Sequence, residues 1–164
     1  GLGSNLEQLY LTGSGNSTGV GNELNNSIWG NSGGNALYGN AGNDMLNGST
    51  GNDYLDGGAG LDQFTFTTTL NSSTNVDQVA GFNSTDDSFA LDNAVFTTIG
   101  PLGTLDVSAF HIGTAAADAS DRVIYNAGTG ALYFDSDGTG AAASVLFATV
   151  AAYTSIVASD FYVI

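Results

Sequence analysis

A repeat of nine residues occupies the first half of the sequence and constrains its fold more than any other feature. From Gly39 to Thr65 three consecutive copies read GNAGNDMLN, GSTGNDYLD and GGAGLDQFT. Two weaker copies precede them, GNELNNSIW from Gly21 and GNSGGNALY from Gly30, with asparagine where the later copies have aspartate. A fixed period of this kind indicates a solenoid, in which each repeat contributes one small structural unit and neighbouring units stack.

Each copy divides into a glycine-rich loop of six residues and a strand of three. Glycine adopts backbone conformations that a β-carbon forbids, so the loop can turn tightly and direct several carbonyl groups at one point. Aspartate at loop position six adds a carboxylate, and such a loop offers the oxygen ligands that Ca²⁺ prefers. Only the middle residue of the strand points inward. The predicted core column consists of the residues at that position, Leu37, Leu46, Leu55 and Phe64.

The period also predicts which loops meet. Two repeats make one turn of the coil, so loops on the same side are 18 residues apart. We expect one Ca²⁺ between the loops that hold Asp44 and Asp62. A second ion is expected between the loops of Asn35 and Asp53. The loops of Asn26 and Asp44 would hold a third, which gives two or three ions in all.

The charge of the chain points to the same chemistry. It has 16 acidic residues and one basic residue, Arg122, for a net charge of −15. Self-repulsion of this size weakens a compact state, and bound divalent cations would offset it. Folding and calcium binding are therefore expected to be coupled, with the repeat region disordered when calcium is absent.

The composition excludes several classes of binding partner and of structural cross-link. Without clustered Lys or Arg the chain lacks the means to bind nucleic acid or an anionic membrane surface. No apolar run is long enough for insertion into a bilayer. There is no cysteine, which excludes disulfides and cysteine-based zinc sites.

These repeats resemble the repeats-in-toxin (RTX) family, also called hemolysin-type calcium-binding proteins, of bacterial type I secretion substrates. The resemblance is strongest over Gly30 to Thr65 and weaker over Leu9 to Trp29, and later stretches such as DRVIYNAGTGALYFDSDGTG look like the segment that closes such modules. It implies an all-β fold, a right-handed parallel β-roll of nonapeptide repeats capped by a C-terminal β-rich segment.

The resemblance also implies that the carbonyls of loop positions one to four bind calcium together with the residue at position six. The implied metal-binding residues are Asp44, Asp53, Asp62 and Asn35, with Gly39, Asn40, Ala41, Gly42, Gly48, Ser49, Gly51, Gly57, Gly58, Ala59 and Gly60.

Three regions are predicted along the chain. Residues 1–20 form a first strand and a degenerate coil, residues 21–65 the calcium-binding β-roll, and residues 66–164 the β-rich cap. Helix is expected to be scarce, with a turn or two at most in Thr114–Ser120 and Val150–Ser159. Short apolar clusters separated by turn signals predict strands at Phe64–Phe66, Val76–Phe82, Phe89–Leu91, Phe110–Ile112, Arg122–Tyr125, Leu132–Phe134, Val145–Val150 and Phe161–Ile164.

The two ends of the chain suggest how it is exported. The sequence begins without Met and without a basic N-terminal signal region. We therefore interpret the chain as a piece of a longer protein. Residues 155–164 end in an acidic residue followed by a hydrophobic tail, and they look like the uncleaved export signals of type I substrates. The alternative is a last β-strand, and both interpretations can hold at once.

Other acidic motifs carry less weight. Asp135-Ser136-Asp137-Gly138 resembles the start of a calcium loop but lacks the closing Glu of an EF-hand, and a turn between strands explains it better. A further group of aspartates could gather into a capping metal site, although scattered solvated carboxylates are the favoured interpretation. This group is Asp77, Asp86, Asp87 and Asp92.

No catalytic constellation is found. The single histidine, His111, lies in a predicted strand, and Arg122 is expected to pair with Asp118 or Asp121. Two G-x-S-x-G matches, at 15–19 and 30–34, fall within repeat loops and not between a strand and a helix.

The sequence therefore predicts a secreted, non-catalytic module whose calcium-dependent folding serves export, with the type I secretion apparatus as the partner of its C-terminus. One alternative is a module that binds an alginate-like polysaccharide through Trp29, Tyr38 and Tyr54 on one face. The other is the terminal domain of an adhesin.

Overall fold

The computed structural model describes all 164 residues and consists almost entirely of short strands. The strands are β1 (Gln8–Tyr10), β2 (Thr18–Val20), β3 (Ser27–Trp29), β4 (Ala36–Ala41), β5 (Met45–Asn47), β6 (Tyr54–Ala59), β7 (Gln63–Phe66), β8 (Asp77–Ala80), β9 (Ser88–Leu91), β10 (Gly103–Thr104), β11 (Phe110–Ile112), β12 (Val123–Asn126), β13 (Ala131–Phe134), β14 (Val145–Thr149) and β15 (Phe161–Val163).

The strands form two sheets, and successive repeats alternate between them. The first sheet has the order β1-β3-β5-β7-β9-β15-β10, and the second has the order β11-β12-β13-β14-β8-β6-β4-β2. From β1 to β9, odd-numbered strands lie in the first sheet and even-numbered strands in the second. This is the coiled path of a parallel β-roll, so the predicted fold class is confirmed.

The register of the parallel strands confirms that two repeats make one turn. Ile28 on β3 lies opposite Leu46 on β5, and Leu37 on β4 lies opposite Leu55 on β6. Each pair is separated by 18 residues, so equivalent residues of alternate repeats lie directly above one another. The loops between strands consequently stack along the two edges of the roll.

The inward-facing residues form one continuous column between the sheets. Side chains at strand position two are completely buried, as predicted, and they pack in a single hydrophobic core. This column comprises Ile28, Leu37, Leu46, Leu55 and Phe64. Burial of this apolar surface is a main favourable contribution to folding, and hydrogen bonds between the parallel strands add to it.

The stacked coils continue beyond the last glycine-rich repeat. Val79 on β8 lies opposite Leu55, and Phe89 on β9 lies opposite Phe64, both in parallel pairs. Their aspartates follow those of the preceding coil by 24 and 25 residues, not 18. The connecting segments are longer and lack the glycine pattern, yet the coiled path and the core column are kept.

The remainder of the chain closes the end of the roll. In the second sheet, β12, β13 and β14 pair antiparallel, and β14 then pairs parallel with β8. In the first sheet, β15 inserts beside β9 with Phe161 opposite Phe89. The ring of Phe89 stacks on Phe161 at 5.0 Å and on Phe82 at 4.4 Å, so aromatic residues seal the core where the roll ends.

All eight predicted strand clusters contain a strand in the structure, including the last one at β15. Helix is limited to two 3-10 turns, Val107–Ala109 and Ala158–Asp160, and no helix could span a membrane. The prediction of a helical turn within Thr114–Ser120 is wrong. Asp121 instead accepts the backbone N–H groups of Ala117 and Asp118, which holds this segment in bends.

We predict that Leu55→Ala lowers the free energy of unfolding by about 2–5 kcal/mol, because it leaves a cavity in the buried column. Leu102→Ala is the matched control, since Leu102 is 68% exposed. Chemical denaturation of both variants at saturating calcium measures the difference. Equal losses in the two variants would contradict the core described above.

Candidate metal centre

The residues at loop position six form two ladders, one along each edge of the roll. In each ladder a backbone N–H donates to the side chain of the next coil. The first ladder comprises Asn26, Asp44, Asp62 and Asp87, with N–H to Oδ1 distances of 2.7, 2.9 and 3.1 Å. The second comprises Asn35, Asp53 and Asp77, with distances of 2.6 and 3.2 Å.

These ladders bring together the loops that the period predicted to meet. Asp62 Oδ1 accepts the N–H of Asp44 at 2.9 Å, so the two aspartates lie on successive turns of one edge. Asp53 Oδ1 accepts the N–H of Asn35 at 2.6 Å on the other edge. A carboxylate from one coil is thus joined to the loop of the coil before it.

The second carboxylate oxygen has no such partner in three loops. The Oδ2 atoms of Asp44, Asp53 and Asp62 are buried and accept no hydrogen bond. Each of these residues is at most 2% exposed. A buried carboxylate oxygen without a donor is energetically costly, so these three positions require a cation or a proton.

Burial increases the proton affinity of these three carboxylates. Desolvation raises the pKa of Asp44 and Asp62 above the usual value, and it raises the pKa of Asp53 to about 6. Hydrogen bonds from the backbone oppose the shift but do not cancel it. A bound divalent cation would lower the pKa of these carboxylates, because a nearby positive charge favours the ionised form.

The backbone of these three loops follows one conformation. Loop positions two and four have positive φ: 82° and 106° at Asn40 and Gly42, 69° and 130° at Ser49 and Gly51, and 99° and 142° at Gly58 and Gly60. We call the loops 39–44, 48–53 and 57–62 the open loops. Glycine at position four is required, because a β-carbon there meets both this left-handed backbone and the adjacent coil.

Carbonyl groups of one open loop point at the next. A β-carbon on Gly58 would overlap the carbonyl oxygen of Asn40, and one on Gly60 would overlap that of Gly42. A β-carbon on Gly39 would overlap both Asp44 Oδ2 and the carbonyl oxygen of Gly57. The space that these glycines leave free is therefore lined by carbonyl and carboxylate oxygens.

This donor set fits Ca²⁺, which takes several oxygen ligands in flexible geometry. The open loops contain nearly all of the residues predicted to bind metal, and their individual roles as ligands stay predictions. The predicted metal-binding residues that lie in the three open loops are Gly39, Asn40, Ala41, Gly42, Asp44, Gly48, Ser49, Gly51, Asp53, Gly57, Gly58, Ala59, Gly60 and Asp62. Ala41 and Ala59 lie side by side at the ends of β4 and β6.

Asn35, the remaining residue of the predicted set, has a different environment. Its Oδ1 accepts the N–H of Asn31 at 2.7 Å, and its Nδ2 donates to Asn31 Oδ1 at 3.0 Å. Asn26 makes the same two bonds with Asn22, at 2.8 and 3.1 Å. We call the loops 21–26 and 30–35 the closed loops, because each position-six side chain is bonded within its own loop.

Asp77 and Asp87 are two further members of the ladders. Asp77 and Asp87 were interpreted as scattered solvated carboxylates, which is wrong: they are 5% and 9% exposed and continue the second and the first ladder. Burial and the nearby charge of Asp53 raise the pKa of Asp77 well above its usual range. The signal was the triplet of aspartate, any residue and a large apolar residue, present as DQV and DSF.

Three further expectations concern the cap. The segment after Asp135 is a turn between β13 and β14, in which Asp135 Oδ1 accepts the N–H of Asp137 at 3.2 Å. The predicted pairing of Arg122 with Asp118 or Asp121 is wrong. Its guanidinium donates to the backbone carbonyls of Thr98, Ala119 and Asp121. His111 lies in β11 as predicted, with Nδ1 4.0 Å from Asp121 Oδ2.

The aromatic residues proposed to share one face lie on two. Tyr38 and Tyr54 are neighbours on the second sheet, with ring centroids 5.7 Å apart. Trp29 belongs to the first sheet, where it stacks on Tyr10 at 4.6 Å. The expectation of a single aromatic face is wrong, because consecutive repeats contribute strands to opposite sheets.

Comparison with known proteins agrees with this architecture. A family model described as the RTX calcium-binding nonapeptide repeat (4 copies) matches residues 11–46 and 29–64. Comparison with curated proteins gives no significant match. The chain is similar to the solution structure of the AlgE6R3 subunit from the Azotobacter vinelandii mannuronan C5-epimerase, at 24% identity and a TM-score of 0.59, covering 92% of this chain and 80% of that chain.

The solution structure of the AlgE6R2 subunit from the same epimerase is also similar, at 21% identity and a TM-score of 0.49, covering 87% of this chain and 90% of that chain. At 24% identity the likeness to AlgE6R3 shows the fold alone, and the family model places repeats like those of the RTX type within residues 11–64.

The raised pKa values predict how the calcium-free chain responds to pH. The folded chain binds more protons than the unfolded chain between the ordinary Asp value of 3.8 and about 6 at Asp53. This contribution to stability is fully present below pH 3.8 and is lost as the pH rises through 6. Calcium-depleted protein should therefore gain β-structure in far-UV circular dichroism when the pH falls from 7 to about 5.

The control for this experiment is the paired comparison of Asp53→Asn and Glu7→Gln. Both remove one negative charge, but Glu7 is exposed. Only Asp53→Asn should weaken the pH response. A response that is the same in both variants would assign it to net charge and not to the ladder.

Proposed function

We propose that this chain, whose residues 11–64 are RTX calcium-binding nonapeptide repeats, is a calcium-dependent folding module of a secreted protein. The observation that carries the proposal is the set of buried, unpartnered Oδ2 atoms of Asp44, Asp53 and Asp62. Each lies against the glycine at position one of its own loop, and each needs a cation when its carboxylate is ionised at neutral pH.

The open loops would hold calcium between coils. Asp44 and Asp62, with the carbonyls of Asn40 and Gly42, form the best-supplied position, and Asp53 supplies the other edge. Calcium bound there would cancel the repulsion of stacked carboxylates and offset part of the net charge of −15. Because no preformed site exists in the unfolded chain, binding energy becomes folding energy.

Folding of the second half would follow from folding of the roll. β8 and β9 add directly to β6 and β7, and their side chains Val79 and Phe89 complete the core column. Without an ordered β6 and β7 these strands have no template. Calcium bound in loops 48–53 and 57–62 would thus act on the cap through the strands that follow those loops.

The position of the C-terminus supports a role in export. Phe161 and Val163 of β15 are 0% and 3% exposed, so these two side chains anchor the hydrophobic tail in the core, while Tyr162 and Ile164 are 42% and 46% exposed. A secretion apparatus that reads residues 155–164 would need the unfolded chain. Extracellular calcium sites have dissociation constants of roughly 10⁻⁴–10⁻³ M, so cytosolic calcium would leave the tail accessible and extracellular calcium would bury it.

We assign no reaction to the module itself. Its loops offer oxygen ligands and no nucleophile paired with a base, and its one histidine lies in a strand beside Asp121. Catalysis, where the full protein has it, would belong to other domains, and this module would help them to fold outside the cell.

We predict that Asp62→Asn raises the calcium concentration at the folding midpoint by about tenfold or more, because it removes a charged ligand from a site whose affinity depends on ligand charge. Calcium titration followed by far-UV circular dichroism measures the midpoint. Glu7→Gln, which removes the same charge from an exposed position, should leave the midpoint within about twofold of the native value.

The proposal fails if the spectrum of the native chain is the same in millimolar calcium and in chelator. It also fails if Asp62→Asn and Glu7→Gln shift the midpoint equally, since the calcium response would then come from general charge screening.

A second function, recognition of a polysaccharide, is favoured by one surface. Tyr38 and Tyr54 present two half-buried rings on the second sheet. A groove of about 530 Å³ begins at Tyr54 and is lined by polar side chains that include Asn16, Asn52 and Gln78. Aromatic faces beside amide groups suit sugar rings, and the similar AlgE6R3 fold comes from an enzyme named for mannuronan.

Because the chain has a net charge of −15, it would repel an acidic polysaccharide unless calcium bridged the two. We predict that Tyr54→Ala weakens binding of alginate oligomers about 2- to 10-fold in calorimetric titration at saturating calcium. Tyr153→Ala is the control, because Tyr153 is 81% exposed and lies in the cap. Absence of binding by the native chain would remove this second function and leave the first intact.

A further inference from the structure

The open and closed loops differ in how position six is satisfied. In the open loops the aspartate keeps one buried oxygen without a donor. In the closed loops an asparagine at position six and an asparagine at position two bond to each other in both directions. The closed loops therefore satisfy internally the position at which the open loops lack a partner.

Loops 30–35 and 39–44 are the closest pair for comparing an amide with a carboxylate at position six, and they differ otherwise only at positions three and five. They read GNSGGN and GNAGND, so both have glycine at positions one and four and asparagine at position two. Asn35 Nδ2 donates to Asn31 Oδ1 at 3.0 Å, a bond that needs an amide at position six. The carboxylate of Asp44 has no proton to donate, so it cannot make the equivalent bond to Asn40.

The backbone conformation also differs between the two loops. Asn31 and Gly33 do not have positive φ, whereas Asn40 and Gly42 have φ of 82° and 106°. Asn40 turns its side chain away and donates to the carbonyl of Gly21 at 2.9 Å. The amide-to-carboxylate difference at position six accompanies a change from one loop conformation to the other.

We propose that the paired asparagines Asn22–Asn26 and Asn31–Asn35 take the place of a bound cation, so that the first two glycine-initiated repeats need no calcium. This inference rests on the proposed function, because it divides the repeats into those that use calcium and those that do not. Asn35 of the predicted ligand set would then not be a ligand. The calcium requirement would begin at loop 39–44.

The division has a structural consequence. The closed loops precede the open ones in the chain, and β3 and β4, which follow the closed loops, pair with β5 and β6. Coils that are complete without calcium would present a template, and calcium would be needed only to add the later coils to it. The ions would bind next to an ordered strand at each step.

Asn35→Asp tests the proposal, because it gives loop 30–35 the same residues as loop 39–44 at positions one, two, four and six. We expect the number of calcium ions bound per chain to rise by one, and the calcium concentration at the folding midpoint to rise as well. Equilibrium dialysis with elemental analysis counts the ions, and far-UV circular dichroism gives the midpoint.

Asn26→Asp is the matched control. It adds the same charge and breaks the equivalent pair with Asn22, but position four of its loop is Leu24, which resists the left-handed backbone of an open loop. It should therefore gain no ion. The double variant Asn31→Ser with Asn35→Asp copies loop 48–53 at the same four positions and should gain one ion even if the single variant folds poorly.

A gain in both loop 30–35 variants and none in Asn26→Asp supports the proposal. An unchanged ion count in the loop 30–35 variants, or an equal gain in Asn26→Asp, overturns it. Failure of the proposed function is distinct, since the native chain would then bind no calcium at all, whereas failure of this inference leaves native calcium binding intact.

Discussion

Buried carboxylate oxygens without hydrogen-bond donors are the constraint on which the rest of the structure depends. Three of them, on Asp44, Asp53 and Asp62, lie between coils that share one hydrophobic column. The column draws the coils together, and the carboxylates oppose that approach unless a positive charge is present. The hydrophobic column and the carboxylates therefore act in opposite directions on the approach of the coils, which links the core of the roll to the composition of its edges.

Much of the fold could be predicted from the sequence because the period itself encodes it. Spacing by nine residues fixes which side chains enter the core, and the structure buries Leu37, Leu46 and Leu55 completely. The short apolar clusters of the second half identified its strands other than β10, because apolar runs bounded by turn residues indicate strands even where no period is present. How those strands join the two sheets was not predictable, since Phe161 pairs with Phe89 across a long stretch of sequence without periodicity.

The site was predictable where the loop pattern is regular and not where it lapses. The stacking of Asp44 on Asp62 followed from the period, but Asp77 and Asp87 continue the ladders after long insertions that hide their position. The two loop conformations depend on the hydrogen bonds that the amide of Asn35 or the carboxylate of Asp44 can make. The repeat pattern alone does not show those bonds. The boundaries at residues 20 and 65 and the individual ligands stay predictions.

The place of β15 in the first sheet has a consequence for folding kinetics. This strand lies between β9 and β10, although both precede it by a long stretch of chain. The coils of the roll can be added one after another through local contacts, but the final strand must close a long loop before its contacts form. The rate-limiting step of folding should thus be the insertion of the last residues, so that fast local coiling is followed by a slow, long-range closure.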